Sequence, residues 1–343
     1  MCVLMVKKNS SSKLGWGILS TAWIAEYLVQ PLKLAGRSKL IAIASRTEAT
    51  AHQFAVEHGV PKTYGSYESM LEDPDIDVVY IPLPNSLHCE WSLKAARAGK
   101  HVLCEKPLVQ SLSEMDDMEN AAVTNNVIIF EAFAHLHHPQ TQVIQKRIDD
   151  GVLGSLHSFL GWDAFFLQPG SKSNFRYYRK YGGGSLWDIG VYPVSLAIVL
   201  NRMGPPLEVW GQLGHNGTEV DMWYSGQMRF SNGVVAQISS SFCTTQRSEL
   251  HIVGEQGVFE VKSPGTPEGT GHLDTYIVFV APNGSTENIC VPAYDAYQAE
   301  VEAMEACVLD GVPPMVPLSL SRDILRTILA LYDSAQSGNV VQL

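Results

Sequence analysis

The sequence predicts an α/β domain with a doubly wound parallel sheet, followed by an α+β domain with a large, mostly antiparallel open sheet. Three observations predict it. At 343 residues the chain exceeds one ordinary core and suits two domains. From about residue 14 to 130, short apolar runs alternate with stretches of helical period. After about Gly151 the texture changes to strand-like runs separated by hairpin signals. We place the boundary after residue 132, giving domains at 1–132 and 133–343.

In the first domain, 14–19 reads as a strand, 22–34 as an amphipathic helix, 39–44 as a strand and 48–58 as a helix. A buried strand at 78–81, a helix at 87–98, a strand at 101–104, a helix at 112–124 and a closing strand at 127–130 complete it. Such alternation implies right-handed crossovers and parallel pairing. In the second domain, 155–166 is extended, and strands follow at 208–213, 222–230, 234–242, 249–253, 258–261 and 276–280. Turn signals at Asn232-Gly233, Gly254 to Gly257 and Asn283-Gly284 make consecutive hairpins, hence antiparallel pairing. Helices are expected at 185–200, 295–309 and 319–334. An open sheet of this length has one face to cover. A helix layer would do so, or a second copy of the chain, and the latter predicts a homodimer.

Composition narrows the partners to a small-molecule substrate. Acidic side chains outnumber basic ones 35 to 24, a net charge of −11, which argues against nucleic acid and anionic membrane because both demand a basic face. No run approaches the roughly 18 apolar residues of a membrane span, and the amino-terminal apolar run is too short for a signal peptide. Six scattered cysteines without a C-x-x-C pair fit reduced thiols in a cytoplasmic protein.

Chemistry enters at Glu105-Lys106-Pro107, directly after the strand 101–104. A lysine at the carboxyl end of a parallel strand points into the crevice where such sheets bind ligands; it also reads as a surface lysine closing a strand. A literal G-x-G occurs at Gly15-Trp-Gly17, but it lies inside the first strand. Shifting to Ser20-Thr21-Ala22-Trp23-Ile24-Ala25 puts small residues at all three positions of the phosphate-binding turn, where N–H groups face the phosphate. Ala25 to Arg46 is 46 − 25 = 21 positions, which suits the ribose-reading residue at the end of the second strand. Ser45 and Arg46 stand there instead of an acid, so NADP is favoured over NAD.

Together these residues resemble the glucose–fructose oxidoreductase / inositol dehydrogenase (Gfo/Idh/MocA) family of Rossmann-fold enzymes. Gly17-Ile-Leu-Ser-Thr-Ala-Trp-Ile-Ala25 is similar to its opening turn, and Ile81-Pro82-Leu83-Pro84-Asn85-Ser-Leu-His88 to its nicotinamide-side loop. Glu105-Lys106-Pro107 matches its signature, and Glu131-Ala-Phe-Ala-His-Leu-His-His-Pro139 its interdomain crossover. Asp149 to Gly154 resembles its second-domain entry, and Gly182 to Tyr192 its substrate helix. Within the family the chain resembles the dimeric dihydrodiol dehydrogenases and NADP-dependent xylose dehydrogenases, which carry tyrosine at the position of Tyr192. The resemblance implies cofactor contacts from Gly17, Ser20 to Ile24, Ser45, Arg46, Pro82 to Asn85, His88, Glu105 and Lys106. His135-Leu136 replaces an aromatic–arginine pair that faces substrate in relatives. With Phe165 and Trp187 adding apolar wall, the substrate need not be a simple sugar; a sugar, a cyclic diol or a bulkier carbonyl compound is expected.

Hydride exchange with nicotinamide requires a partner for the proton on the reacting oxygen. Lys106 is the first candidate, its ammonium pKa expected to fall beside an oxidised nicotinamide. Asp188 and Tyr192 lie four apart on one predicted helix, hence on one face. Tyr192 and Lys106 are expected to act as a coupled proton pair while Asp188 orients a substrate hydroxyl. The same residues also read as a local cap (Asp188) and a packed helix residue (Tyr192). Arg176 is expected to meet substrate hydroxyls or to pair with an acid. His88 reads as a ribose or loop contact. His135, His137 and His138 span four residues of expected extended chain without a fourth ligand, so no metal is expected. Redox-neutral chemistry with transient hydride transfer and a non-catalytic dinucleotide-binding regulator are the competing readings.

Overall fold

The computed structural model describes residues 13–168, 174–265 and 273–343. The chain forms two compact units, Met1–Ala134 with Tyr297–Ser321, and His135–Ala296 with Arg322–Leu343.

The first unit carries six strands, β1 (Leu14–Leu19), β2 (Ser38–Ala44), β3 (Lys62–Tyr64), β4 (Val78–Ile81), β5 (His101–Glu105) and β6 (Ile129–Ala132). Helices α1 (Glu26–Leu34), α2 (Glu48–His58), α3 (Tyr67–Leu71), α4 (His88–Arg97) and α5 (Leu112–Asn125) connect them. The sheet order is β3-β2-β1-β4-β5-β6, all parallel, so strand order reverses between β1 and β4. Local chemistry sets the boundaries. Thr47, Ser66 and Ser111 cap α2, α3 and α5, each hydroxyl accepting from the N–H three residues on. Asn126 ends α5 in the left-handed conformation and Val127 N donates back to Ala122 O. Those two residues serve the helix end, so β6 starts at Ile129 rather than at the expected 127.

The segment Tyr297–Ser321 corrects the expected domain range of 133–343. Val301, Met304 and Cys307 are buried in the same cluster as Trp16, Leu28, Leu103 and Phe130, and Arg37 pairs with Glu305 and Asp310. The periodicity of the helix Ala296–Glu305 shows an apolar face but not which sheet that face covers.

In the second unit a short turn, α6 (Ala134–His137), leads into α7 (Pro139–Asp149) and the long strand β7 (Leu156–Phe166). Helix α8 (Val191–Asn201) follows, then β8 (Glu208–Gly214), β9 (Trp223–Arg229), β10 (Val235–Ser241), β11 (Cys243–Gly254), β12 (Gly257–Lys262), β13 (Thr275–Val280), β14 (Thr286–Val291) and β15 (Val341–Gln342). The nine-stranded order is β14-β13-β12-β11-β7-β10-β9-β8-β15, with β7 and β10 parallel and the other pairs antiparallel. Strand β14 escapes the sequence pattern because its residues 286–288 are polar and exposed. Pro193 of α8 seats on Gly161 of β7, so α8 covers that face of the sheet. The stretch Arg179–Asn201 is long and apolar enough for a membrane span by composition, but 89% of its apolar window is buried within the protein, as in a core helix.

Candidate active site

The first unit gathers its candidate residues at the carboxyl ends of β1, β2, β4 and β5, around the reversal in strand order. The turn after β1 falls at Ser20–Ala22. Ser20 has φ of 127°, a value that favours glycine, its N–H donates to Ala44 O, and its hydroxyl accepts from Ala22 N at 3.1 Å. Among the described residues no side chain caps the helical start that follows, Trp23 to Glu26. Its first N–H groups are of the kind that hold phosphate. Ala25 is fully buried, while Trp23 is exposed and meets Tyr27 edge-on, ring centres 5.4 Å apart. Gly15 and Gly17 lie inside β1 for packing reasons. A side chain at Gly15 would collide with the Asp75 carbonyl, and one at Gly17 would press on Ile76 and Met70. Gly17, expected among the cofactor contacts, has a packing reason of its own for being glycine.

After β2, Ser45 is 7% exposed and its N–H donates to Tyr64 O, whereas Arg46 projects outward. Burial pushes the nearby Tyr67 phenol up, with Arg46 and the Ser20 hydroxyl pulling the other way, so these three groups share one corner. After β4, Pro82, Leu83 and Asn85 are buried and Pro84 is half-buried. His88, expected as a ribose or loop contact, makes the loop contact. It is fully buried, with Nδ1 2.7 Å from Pro107 O and Nε2 2.7 Å from Leu83 O. Carbonyl oxygens only accept and the neutral ring has one N–H, so His88 donates to one of the two while standing between the loop after β4 and the loop after β5. Burial lowers its pKa, the two carbonyls opposing.

Lys106 follows β5 and precedes a cis peptide to Pro107. Glu105 supports it: Tyr80 OH donates to Oε1 at 2.6 Å, and Lys106 N donates to Oε2 at 3.3 Å. Glu131 of β6 accepts from Leu108 N at 2.9 Å, fixing the far side of the same loop. Burial pushes the Glu131 carboxyl up to about 7, against nearby Ser321, Leu108 N–H and the Lys106 ammonium. Between its ordinary value of 4.5 and about 7, the folded protein keeps a proton that the unfolded chain has lost. Stability therefore falls as pH rises through that window and is flat above it. Glu131→Gln is expected to remove this slope in urea unfolding measured across the window; an unchanged slope would contradict the assignment.

In the second unit, Gly182 to Gly184 leads into a π turn, Leu186–Gly190, before α8. Asp221 anchors this turn: Oδ2 accepts from Ser185 Oγ and Leu186 N, both at 2.8 Å, and Oδ1 from Tyr332 OH at 2.7 Å. Gly184 has φ of 120° and a side chain there would strike Asp221. The glycine run thus serves close packing. Arg176 Nε donates to Asp188 Oδ2 at 2.6 Å in an ion pair whose side chains are 20% and 7% exposed. The Arg176 guanidinium lies 4.7 Å from the Phe175 ring centre and 5.9 Å from that of Phe165. Arg176 therefore takes the acid-pairing option of its two expected roles.

Asp188 sits in the π turn and Tyr192 in α8, so the expected helix over 185–200 is interrupted rather than continuous. Trp187 is 8% exposed and packs on Tyr332, ring centres 5.7 Å apart. His135 and His137 lie in the helical turn α6 rather than extended chain, and with His138 all three are buried. Burial alone lowers His137 to about 4, and His138 Nε2 lies 3.0 Å from Tyr294 O. Tyr192 meets His135 edge-on at 5.0 Å. Sequence reasoning missed Asp221, Tyr332, Tyr67 and the role of Glu131. An acid between Val220 and Met222 was the available signal for Asp221.

This fold and these residues define a dinucleotide-binding oxidoreductase, and comparison with known proteins names the family. Residues 14–133 match the oxidoreductase family with an NAD-binding Rossmann fold, and residues 141–260 match the GFO/IDH/MocA C-terminal domain. The chain belongs to the GFO/IDH/MocA family. It is 36% identical over 334 residues to D-xylose 1-dehydrogenase (NADP(+)) 2 of Haloferax volcanii, covering 96% of this chain and 99% of that enzyme. Among solved structures, aldose-aldose oxidoreductase from Caulobacter crescentus superposes with a TM-score of 0.88 at 26% identity, covering 96% of this chain and 100% of that one. A lysine-to-alanine mutant of a 3-ketoreductase from Actinomadura kijaniata, in complex with TDP-benzene and NADP, gives a TM-score of 0.84 at 26% identity, covering 94% and 98%.

Proposed function

We propose that this protein is a cytoplasmic, NADP(H)-dependent oxidoreductase that interconverts an alcohol and a carbonyl on a sugar, cyclic diol or comparable small molecule. The observation that carries the reading is the exposed Arg46 at the carboxyl end of β2, in the corner shared with Ser20 and Tyr67. A guanidinium there suits a 2′-phosphate. NADP in the name of the Haloferax relative and in the ketoreductase complex supports the cofactor, and xylose in the same relative's name supports a sugar substrate. The described cysteines, all free, fit a reduced compartment.

Bound NADP(H) would supply or accept a hydride at its nicotinamide ring. The uncapped start of the helix after Ser20 would hold the pyrophosphate, and Arg46 the 2′-phosphate. Lys106, carried on the loop braced by Glu105, His88 and Glu131, would donate a hydrogen bond to the reacting oxygen. Tyr192 would exchange the proton with that oxygen. Asp188, held by Arg176, would accept from a substrate hydroxyl, and His135 and Phe165 would contribute to substrate selection.

An absorbance screen with NADP⁺ and NADPH across aldoses, cyclic diols and their carbonyl counterparts tests the reading. We expect a change in NADPH absorbance with at least one sugar or diol. Product formation at steady absorbance would favour redox-neutral chemistry, and silence across the screen would contradict both. Strand parity puts Trp162, packed at 5.5 Å on His251, on the sheet face opposite α8. We propose that a second copy of the chain covers this face. Light scattering is expected to give twice the chain mass; the mass of one chain would exclude the dimer.

A further inference from the structure

We propose that His135 and Gly265 are positioning residues that clamp the Tyr192 ring, with His135 fixed as the tautomer protonated on Nε2. The proposal deepens the reading above, since it rests on Tyr192 exchanging the substrate proton.

The tautomer follows from hydrogen-bond polarity. Ser195 Oγ lies 2.9 Å from the backbone carbonyl of Tyr192, one turn earlier in α8. A carbonyl only accepts, so the single hydroxyl proton of Ser195 is committed to it. His135 Nε2 lies 3.0 Å from the same Oγ, which then offers only lone pairs. Nε2 must donate. This bond ties the imidazole to the helix that carries Tyr192, and His135 is 1% exposed, so its ring has little room to turn. In that orientation it meets the Tyr192 ring edge-on, with centroids 5.0 Å apart and planes at 88°.

Gly265 supplies the second contact from the segment after β12. A Cβ built there would lie 2.7 Å from Tyr192 Cγ and 3.0 Å from both its Cβ and Cδ2. Position 265 therefore accepts no side chain unless Tyr192 moves. Contact at Cβ and Cγ restricts χ1, and contact with the ring restricts χ2; these two torsions place the phenol oxygen. In this role both residues act through Tyr192, apart from any part His135 has in substrate selection, and neither is assigned a proton-transfer step.

A double-mutant cycle tests the clamp, using His135→Phe and Gly265→Ala alone and in the Tyr192→Phe background. Each single variant is expected to lower kcat by about 10- to 10²-fold, as an ångström-scale misplacement does, with KM for NADPH unchanged. In the Tyr192→Phe background each is expected to cost little more, because the group they position is already gone. Losses that add in full, or an unchanged kcat in both single variants, would overturn the proposal. Nitrogen-15 NMR of the unmodified protein reads the tautomer independently of how variants fold. The histidine whose ring protons contact Tyr192 should show a protonated Nε2 and a bare Nδ1, and the reverse pattern overturns the clamp. Wild-type turnover in Tyr192→Phe alone would instead sink the functional reading, while the NMR result still stands on its own.

Discussion

Lys106→Met is expected to lower turnover by about 10³-fold or more while the affinity for NADPH changes little. Methionine keeps the length and apolar stem of lysine but removes the charge and all three donors. General acid–base and hydrogen-bonding groups at a reacting oxygen contribute about 10²- to 10⁴-fold, so their loss falls on kcat. The loop itself should persist. Tyr80 still donates to Glu105, Leu108 N still donates to Glu131, and His88 still spans Leu83 O and Pro107 O. Steady-state kinetics and calorimetric titration with NADPH read the two effects separately. Normal turnover would remove Lys106 from the chemistry, and lost NADPH binding would recast it as a cofactor anchor.

Arg46→Ala is expected to weaken NADPH binding by about 10- to 10²-fold and to leave NADH binding nearly unchanged. Hydrogen bonds to a charged group contribute about 1.5–3 kcal/mol, which is that range in affinity. Arg46 is exposed, so its removal leaves no buried charge and should not unfold the domain. The effect should shrink as salt rises, because an exposed pair is screened. Titration with both dinucleotides at two salt concentrations checks this. Equal weakening of NADPH and NADH would place Arg46 away from the 2′-phosphate.

Much of the fold is legible in the sequence because strands and helices of the first unit differ sharply in period, and β1, α2 and β4 fall at their expected bounds. The place of the strand-to-helix turn is legible too. Ser20 holds a glycine-like φ there, while Gly15 and Gly17 lie inside β1 and answer to packing from Asp75, Met70 and Ile76. Partner choice is less legible. The apolar stripe of Val301 and Met304 marks a helix, yet nothing local shows that it completes the core around Trp16. Three-dimensional polar pairing hides most completely. His88 reads as a ribose or loop contact, and the sequence does not show which carbonyls it meets, one 19 residues away and one five. Arg176 and Asp188 are 12 apart in sequence. The π turn at Leu186–Gly190 is a further blind spot, since no residue type announces it.

We propose that the chain directs hydride between NADP(H) and a substrate carbon. NADPH carrying deuterium at both C4 positions, supplied with the carbonyl compound that emerges from the substrate screen, tests this step. Deuterium is expected on the new carbinol carbon of the product, with one equivalent of NADPH oxidised per turnover. Product formed without label, with NADPH consumed by another route or left intact at the end, would contradict it.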